Sequence, residues 1–225
     1  MDLTTVMANL PALWHGVWLT VDILIAAIFF GLISASCLTV VSFSGVMLKR
    51  IVDAYIFIIR GTPMLVQFYF IYYGLPQLAV LHTPWIWPVI ASPITCSVLA
   101  LTISTSAYTT VILRGAFLGV PAGEIQAANA LGLTRIQIFR NITLPRSFSL
   151  ILPLYSNEVL MLLKSTSLAS TITVLELTGT TELLIGETYQ TILYWLIAGA
   201  IYLVLSGVII GVFKLLERRF AVCRS

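Results

Sequence analysis

The chain has 225 residues, of which 59% are hydrophobic and only 9% charged, against about 25% charged in a typical soluble domain. That balance places it among integral membrane proteins with almost no soluble mass. The net charge of +3 is too small and too dispersed to suggest a nucleic-acid partner.

At about 20 residues per spanning helix, the length holds five or six spans with short loops. The first apolar run covers about 16–41. The start, Met1-Asp2-Leu3, has no basic n-region and no cleavage site, so a retained helix is expected there rather than a cleaved signal peptide. A second run covers about 53–75 and a third about 88–118. A polar segment, 119–148, precedes a fourth run at 149–174, and a fifth follows at 191–214. The expectation is an all-α polytopic membrane protein, one domain over 1–225, with five transmembrane helices. Cys37 and Cys96 lie inside apolar runs and Cys223 in the tail, so no disulfide framework is indicated.

The loops sort by charge. Lys49 and Arg50 follow the first run, Arg135, Arg140 and Arg146 lie in the polar segment, and Lys214, Arg218, Arg219 and Arg224 end the chain. The N-terminus and the loops 76–87 and 175–190 contain no Lys or Arg. The positive-inside rule counts these residues near span ends, and it predicts the N-terminus outside and the C-terminus inside. Trp14, Trp18, Trp85, Trp87 and Trp195 fall near the outer interfaces, where amphipathic rings prefer to lie.

The polar segment is the most informative stretch. It holds Glu124, then Gln126-Ala127-Ala128, Gly132 four residues on, and Ile142, Leu144 and Pro145. Small residues let a short helix approach a partner closely. Gly132 can end that helix in the left-handed conformation, Thr134 can cap a second turn, and Pro145 marks the next element. On these residues alone, a docking helix and an ordinary amphipathic connector are equally good readings.

The spacing resembles the coupling-loop signature of bacterial ABC-importer permease subunits, with Gln126 where that signature carries Glu. Arg60-Gly61-Thr62-Pro63, Ala107-Tyr108 and Arg114-Gly115 are similar to the branch that imports polar amino acids. The runs Tyr155-Ser156-Asn157-Glu158-Val159-Leu160-Met161 and Lys164-Ser165-Thr166-Ser167-Leu168-Ala169 resemble the histidine and octopine permease subunits. The resemblance covers about 60–217. It implies residence in the bacterial inner membrane and a coupling role for Glu124, Gln126, Ala127, Ala128, Gly132, Ile142, Leu144 and Pro145. It also implies two ATPase subunits, a second, non-identical permease subunit, a periplasmic solute-binding protein and an amino-acid substrate.

The residues agree with a division of labour. No Gly-x-x-x-x-Gly-Lys-Ser/Thr stretch exists, so ATP hydrolysis would belong to another polypeptide. No metal-ligand spacing is present, His15 and His82 are isolated, and no cofactor or covalent chemistry is expected. The sequon at Asn141 falls on the side read as cytoplasmic and carries no meaning there. The main competitor is an ATP-independent secondary transporter or channel subunit, which leaves the signature spacing unexplained. A purely structural membrane subunit is a third reading.

Charge inside a span costs about 2.5–3.5 kcal/mol or more at a helix centre, which singles out Asp22, Arg60, Glu158 and Lys164. Arg60 reads as snorkelling to the inner headgroups or shaping the start of its helix. Glu158 and Lys164 are six residues apart and face in different directions. Substrate and structural roles for Glu158 stay open together. Hydroxyls crowd the third run, at Ser97, Thr102, Ser104, Thr105, Ser106, Thr109 and Thr110, and read chiefly as helix-packing groups. Ser104, Tyr108, Glu158 and Ser165 form the candidate substrate path. Many amino-acid permeases of this type carry Asn, Glu and Asp where this chain has Ser104, Val111 and Ser165, which implies a weaker grip here than in a partner subunit. The likeness favours a basic amino acid or an opine. The acidic loop with Glu176, Glu182 and Glu187 reads as tolerant of a cationic solute or as a dock for the binding protein.

Overall fold

The computed structural model describes residues 3–220, with side chains from Met7 onward. Cys223 and Arg224 lie outside the described residues. Ten α-helices run in the order α1 (Leu3–Phe43), α2 (Val46–Gly61), α3 (Met64–Tyr69), α4 (Trp87–Ile90), α5 (Pro93–Leu118), α6 (Ala122–Ala130), α7 (Arg135–Ile138), α8 (Leu144–Ser165), α9 (Leu177–Thr188) and α10 (Thr191–Phe220). Three stretches are long and apolar enough to cross a membrane unbroken: Met7–Phe43, Pro93–Leu118 and Thr191–Phe220. The other two apolar runs are bent pairs, so five spans are reached only when each pair counts as one.

The second run, expected as one helix over 53–75, is broken at Thr62-Pro63. The pieces Val46–Gly61 and Met64–Gln77 meet at 104°. Proline removes the N–H that would bond to the Ile59 carbonyl and forces the residue before it into extended backbone; Thr62 has φ −104 and ψ 139. Gln67 repairs the break, donating from Nε2 to Ile59 O at 2.8 Å and to Thr62 O at 3.2 Å. The orphaned carbonyl is thus satisfied by a side chain one turn into α3.

Two π-type turns, Phe70–Gly74 and Phe139–Thr143, each end two residues before a proline, Pro76 and Pro145. A proline ring cannot pack against the carbonyl four residues back, and widening the helix relieves that clash. Pro145 sits in the first turn of α8, where its missing N–H leaves no bond unmade, as the sequence suggests. Helix runs through it from Arg135 to Ile172, and α9 follows at a 48° bend.

The stretch 175–190, expected as an acidic outer loop, is largely α9. Thr173 turns the chain with φ 70, and Glu176 caps the new helix, accepting from Thr178 N at 2.9 Å and Gly179 N at 3.0 Å. Glu176 is completely buried, while Glu182 and Glu187 remain exposed. The first of the three acids is an internal tie rather than a surface charge.

The core lies where α1 crosses α5, with α3, α8 and the turn Thr166–Ile172 closing around it. Ile23, Leu24 and Ala27 of α1 meet Phe68, Ala100, Leu101 and Leu163 there. Apolar surface alone does not drive helices together in lipid, so close approach matters. Gly31 faces the Thr105 methyl with no room for a side chain of its own. At the other end of α1, a Cβ on Gly16 would come within 2.8 Å of Thr180 Oγ1.

Most α5 hydroxyls serve this packing, as expected. Ser97, Ser106 and Thr110 donate to carbonyls of their own helix. Tyr55 reaches across from α2, its hydroxyl 2.7 Å from Ser106 Oγ and 2.9 Å from the Ile103 carbonyl.

Candidate functional site

Two regions collect the residues singled out by the sequence. The first is the segment between α5 and α8. Pro121 fixes the start of α6, and Glu124 sits in its first turn, near the positive helix terminus. Gly132 ends the helix with φ +76, and Leu133 N donates back to Ala128 O at 3.1 Å, closing the last turn. Nothing in the chain lies within 4 Å of where a Gly132 side chain would begin. Its requirement is conformational, not one of space. Thr134 and Gln137 then form a reciprocal capping box that opens α7.

A bidentate pair holds this segment to the bundle. Arg146 Nη2 lies 2.7 Å from Glu124 Oε1, and Arg146 Nε lies 3.1 Å from Oε2. Glu124 therefore faces inward and positions α6 against α8. Beside this pair, a cleft of about 700 Å³ separates α6 from α5 and α8. Ala128 is buried against the segment, whereas Gln126 and Ala127 are exposed. Ile142 and Pro145 are half-buried, and Leu144 is exposed on the first turn of α8. Sequence reasoning passed over Leu131, Ile136 and Phe139, which stand 81%, 79% and 50% exposed on the same surface. Their signal was three large apolar side chains inside an otherwise polar stretch.

The second region lies where α2, α5 and α8 face one another. Tyr108 lies near the middle of α5, and the Arg60 guanidinium carbon stands 4.8 Å from the centre of its ring. Arg60 is exposed at the C-terminal turn of α2 and packs its guanidinium over the face of Tyr108. The contact is a cation–π one, about 0.5–1 kcal/mol when solvated and about 2 kcal/mol when dry. Glu158 is half-buried on α8, with no ion pair among the described residues.

The other path candidates are less engaged. Ser104 is half-buried one turn before Tyr108. Ser165 donates to Met161 O at 3.0 Å within its own helix. Lys164 is exposed and stands apart from Glu158. Tyr108 and Ser104 on α5 and Glu158 and Ser165 on α8, two helices packed on each other, are groups of the kind that hold an organic cation without any covalent step.

The family described as "binding-protein-dependent transport system inner membrane component" matches residues 27–222. An octopine transport system permease protein of Rhizobium radiobacter is 50% identical over 163 residues, or 72% of this chain. The match spans 66% of that relative, just under two thirds of its length. An arginine ABC transporter permease protein of Escherichia coli K12 is 41% identical over 75% of this chain and 76% of its own. In three dimensions, the chain is similar to the crystal structure of an amino acid ABC transporter with histidines. The TM-score is 0.86 and the identity 29%, covering 97% of this chain and 99% of that one. The extent of these matches, together with the helical architecture and the 119–148 segment, shows that the chain belongs to the family of inner-membrane components of binding-protein-dependent transport systems.

Proposed function

We propose that the chain is the membrane-spanning permease subunit of an ATP-driven importer that moves a cationic amino acid or opine across the bacterial inner membrane. One observation carries this reading. An ordered α6–α7 segment is clamped to the bundle by Glu124–Arg146, yet presents Leu131, Ile136 and Phe139 outward, in a chain with no phosphate-binding loop of its own. Such a surface suits a short helix laid in the groove of a partner, here an ATPase subunit. Gln126, Ala127, Gly132, Ile142, Leu144 and Pro145 shape that contact together with Glu124 and Ala128.

The full assembly on this reading holds two ATPase subunits, a second, non-identical permease subunit and an external solute-binding protein. The N-terminus lies outside and the C-terminus inside. ATP-driven closure of the ATPases pushes α6, and the bidentate pair passes the motion to α8. Substrate crosses beside Tyr108 and Glu158, with Ser104 and Ser165 near the path. The octopine and arginine relatives carry solutes with a guanidinium group, which the aromatic face and carboxylate fit.

The test is uptake with complex yield measured beside it. Glu158→Gln keeps shape and hydrogen bonding but removes charge, and is expected to cut uptake of arginine-like solutes at least tenfold with an intact complex. Unchanged uptake of those solutes removes Glu158 from the path. Failure of the chain to co-purify with any ATPase overturns the importer reading itself.

A further inference from the structure

We propose that the last turns of α10 carry a binding site for an aminophospholipid, with its phosphate held by Lys214 and Arg218 and its ammonium by Glu217. The inference goes beyond the transport reading and rests only on α10 crossing the membrane, so either can fail without the other.

The three charges stand at i, i+3 and i+4, on one face of α10. Together they line a cavity of about 220 Å³ between α10 and the start of α8, where Ser149, Leu152, Pro153 and Phe220 complete the wall. Glu217 is half-buried there, while Lys214 and Arg218 are exposed. The two helices are fixed to each other beside this space. Ser149 Oγ donates to the Phe220 carbonyl at 3.1 Å, and the Phe148 and Phe220 rings meet at 5.0 Å. A water molecule takes about 30 Å³ of its liquid, so the cavity suits a group of several heavy atoms rather than a lone ion.

Depth points to the kind of ligand. A helix rises about 1.5 Å per residue and the hydrocarbon core is about 30 Å thick, so about 20 residues cross it. Counted from Trp195, the aromatic ring read at the outer interface, the core ends near Leu215. Lys214, Glu217 and Arg218 therefore stand in the layer of phosphates and amines. Leu196, Leu203 and Ile210 precede Glu217 on the same face at steps of two turns, and they are 64%, 75% and 38% exposed. An apolar stripe that ends in a charged cavity has the profile of a phospholipid, acyl chain first and headgroup after.

The mixture of charges selects the headgroup. Two cations alone would suit any anionic lipid. A carboxylate in the same cavity calls for a cation as well, and a headgroup with both a phosphate and a primary ammonium sets one charge against each. The ammonium brings three N–H donors for Glu217. Phosphatidylcholine has the positive charge without an N–H, and phosphatidylglycerol has neither.

The experiment titrates the detergent-purified complex containing the full chain with dioleoyl phosphatidylethanolamine, phosphatidylglycerol or phosphatidylcholine and counts bound lipid by native mass spectrometry. The native complex is expected to hold one phosphatidylethanolamine about tenfold more tightly than either other lipid. Glu217→Gln is expected to erase the preference over phosphatidylglycerol. Lys214→Gln and Arg218→Gln, made separately so that one poorly assembling variant does not decide the result, are each expected to weaken phosphatidylethanolamine severalfold. Inorganic phosphate is not expected to displace the lipid. Equal retention of the three lipids by the native complex overturns the proposal. A preference that survives all three substitutions does so too, because the lipid then sits elsewhere, and displacement by phosphate would reduce the cavity to a plain anion site.

Discussion

At the scale of single residues, Glu176 shows how a polar atom can organise apolar helices. Its carboxylate accepts from two backbone N–H groups of α9, from Thr20 of α1 at 3.3 Å and from Tyr202 of α10 at 3.1 Å. Three helices thus share one acceptor, completely out of water. The sequence offered Glu176 only as one of three acids in a loop, because nothing local distinguishes a buried cap from a surface charge. The distinguishing information lies 156 residues upstream in Thr20 and 26 residues downstream in Tyr202. Leaving a buried donor unpaired costs about 1–3 kcal/mol, and Glu176→Ala strands several donors at once. Glu176→Ala is expected to destabilise the purified protein by roughly 2–4 kcal/mol, read as a lower melting temperature in detergent. Glu176→Gln, which keeps an acceptor oxygen, is expected to fall between it and the native chain. A melting temperature unchanged by Glu176→Ala would show that the tie carries no weight.

At the scale of elements, the sequence was read well where the signal is local and poorly where helices break. Gly132 was expected to take positive φ and Thr134 to cap a turn, and both do, because glycine and a Thr-x-x-Gln pattern each encode their geometry within four residues. The break at Pro63 was missed, since hydropathy averages over a window and does not register a bend inside an apolar run, and so was the helix α9 within the stretch read as a loop. Prolines were visible in the sequence. What was not visible is that Gln67 would stand ready to bond Ile59 O and let the chain turn through 104°. The open space around Gly132 also separates folding from coupling. A substituent there meets no atom of this chain within 4 Å, so the cost within the chain is that of the left-handed backbone alone, about 1–2 kcal/mol. Gly132→Asp is expected to reach the membrane at near-native levels, yet to lose uptake and retain less ATPase on purification. Gly132→Asn, which tolerates the left-handed region better, is expected to recover part of both. Native uptake by Gly132→Asp would mean that this turn does not face the ATPase.

Across the whole molecule, the charge pattern of the loops and the packing of the helix ends agree independently. Phe43 at the end of α1 meets Phe117 of α5 at 6.5 Å, Phe117 stacks on Phe139 at 6.2 Å, and Phe148 of α8 meets Phe220 of α10 at 5.0 Å. These contacts join the helix ends that Lys49, Arg50, Arg135, Arg140, Arg146, Lys214, Arg218 and Arg219 follow or flank in the sequence. Far from them, Asn9 donates to the Tyr194 hydroxyl at 2.8 Å, joining the starts of α1 and α10 in a region free of Lys and Arg. The topology proposed above, drawn from the positive-inside rule, puts this basic end in the cytoplasm. Single cysteines test this in a background with Cys37, Cys96 and Cys223 replaced. Thr181 is completely buried and a poor probe site, whereas Val80 is 76% exposed and Glu182 is exposed on α9. Val80→Cys and Glu182→Cys are expected to react with an impermeant thiol reagent added to sealed cells. Ile136→Cys, at a position 79% exposed on the opposite end, is expected to react only after the cells are opened. Labelling of Ile136→Cys in sealed cells would invert the molecule in the membrane and place α6 and α7 out of reach of any cytoplasmic ATPase.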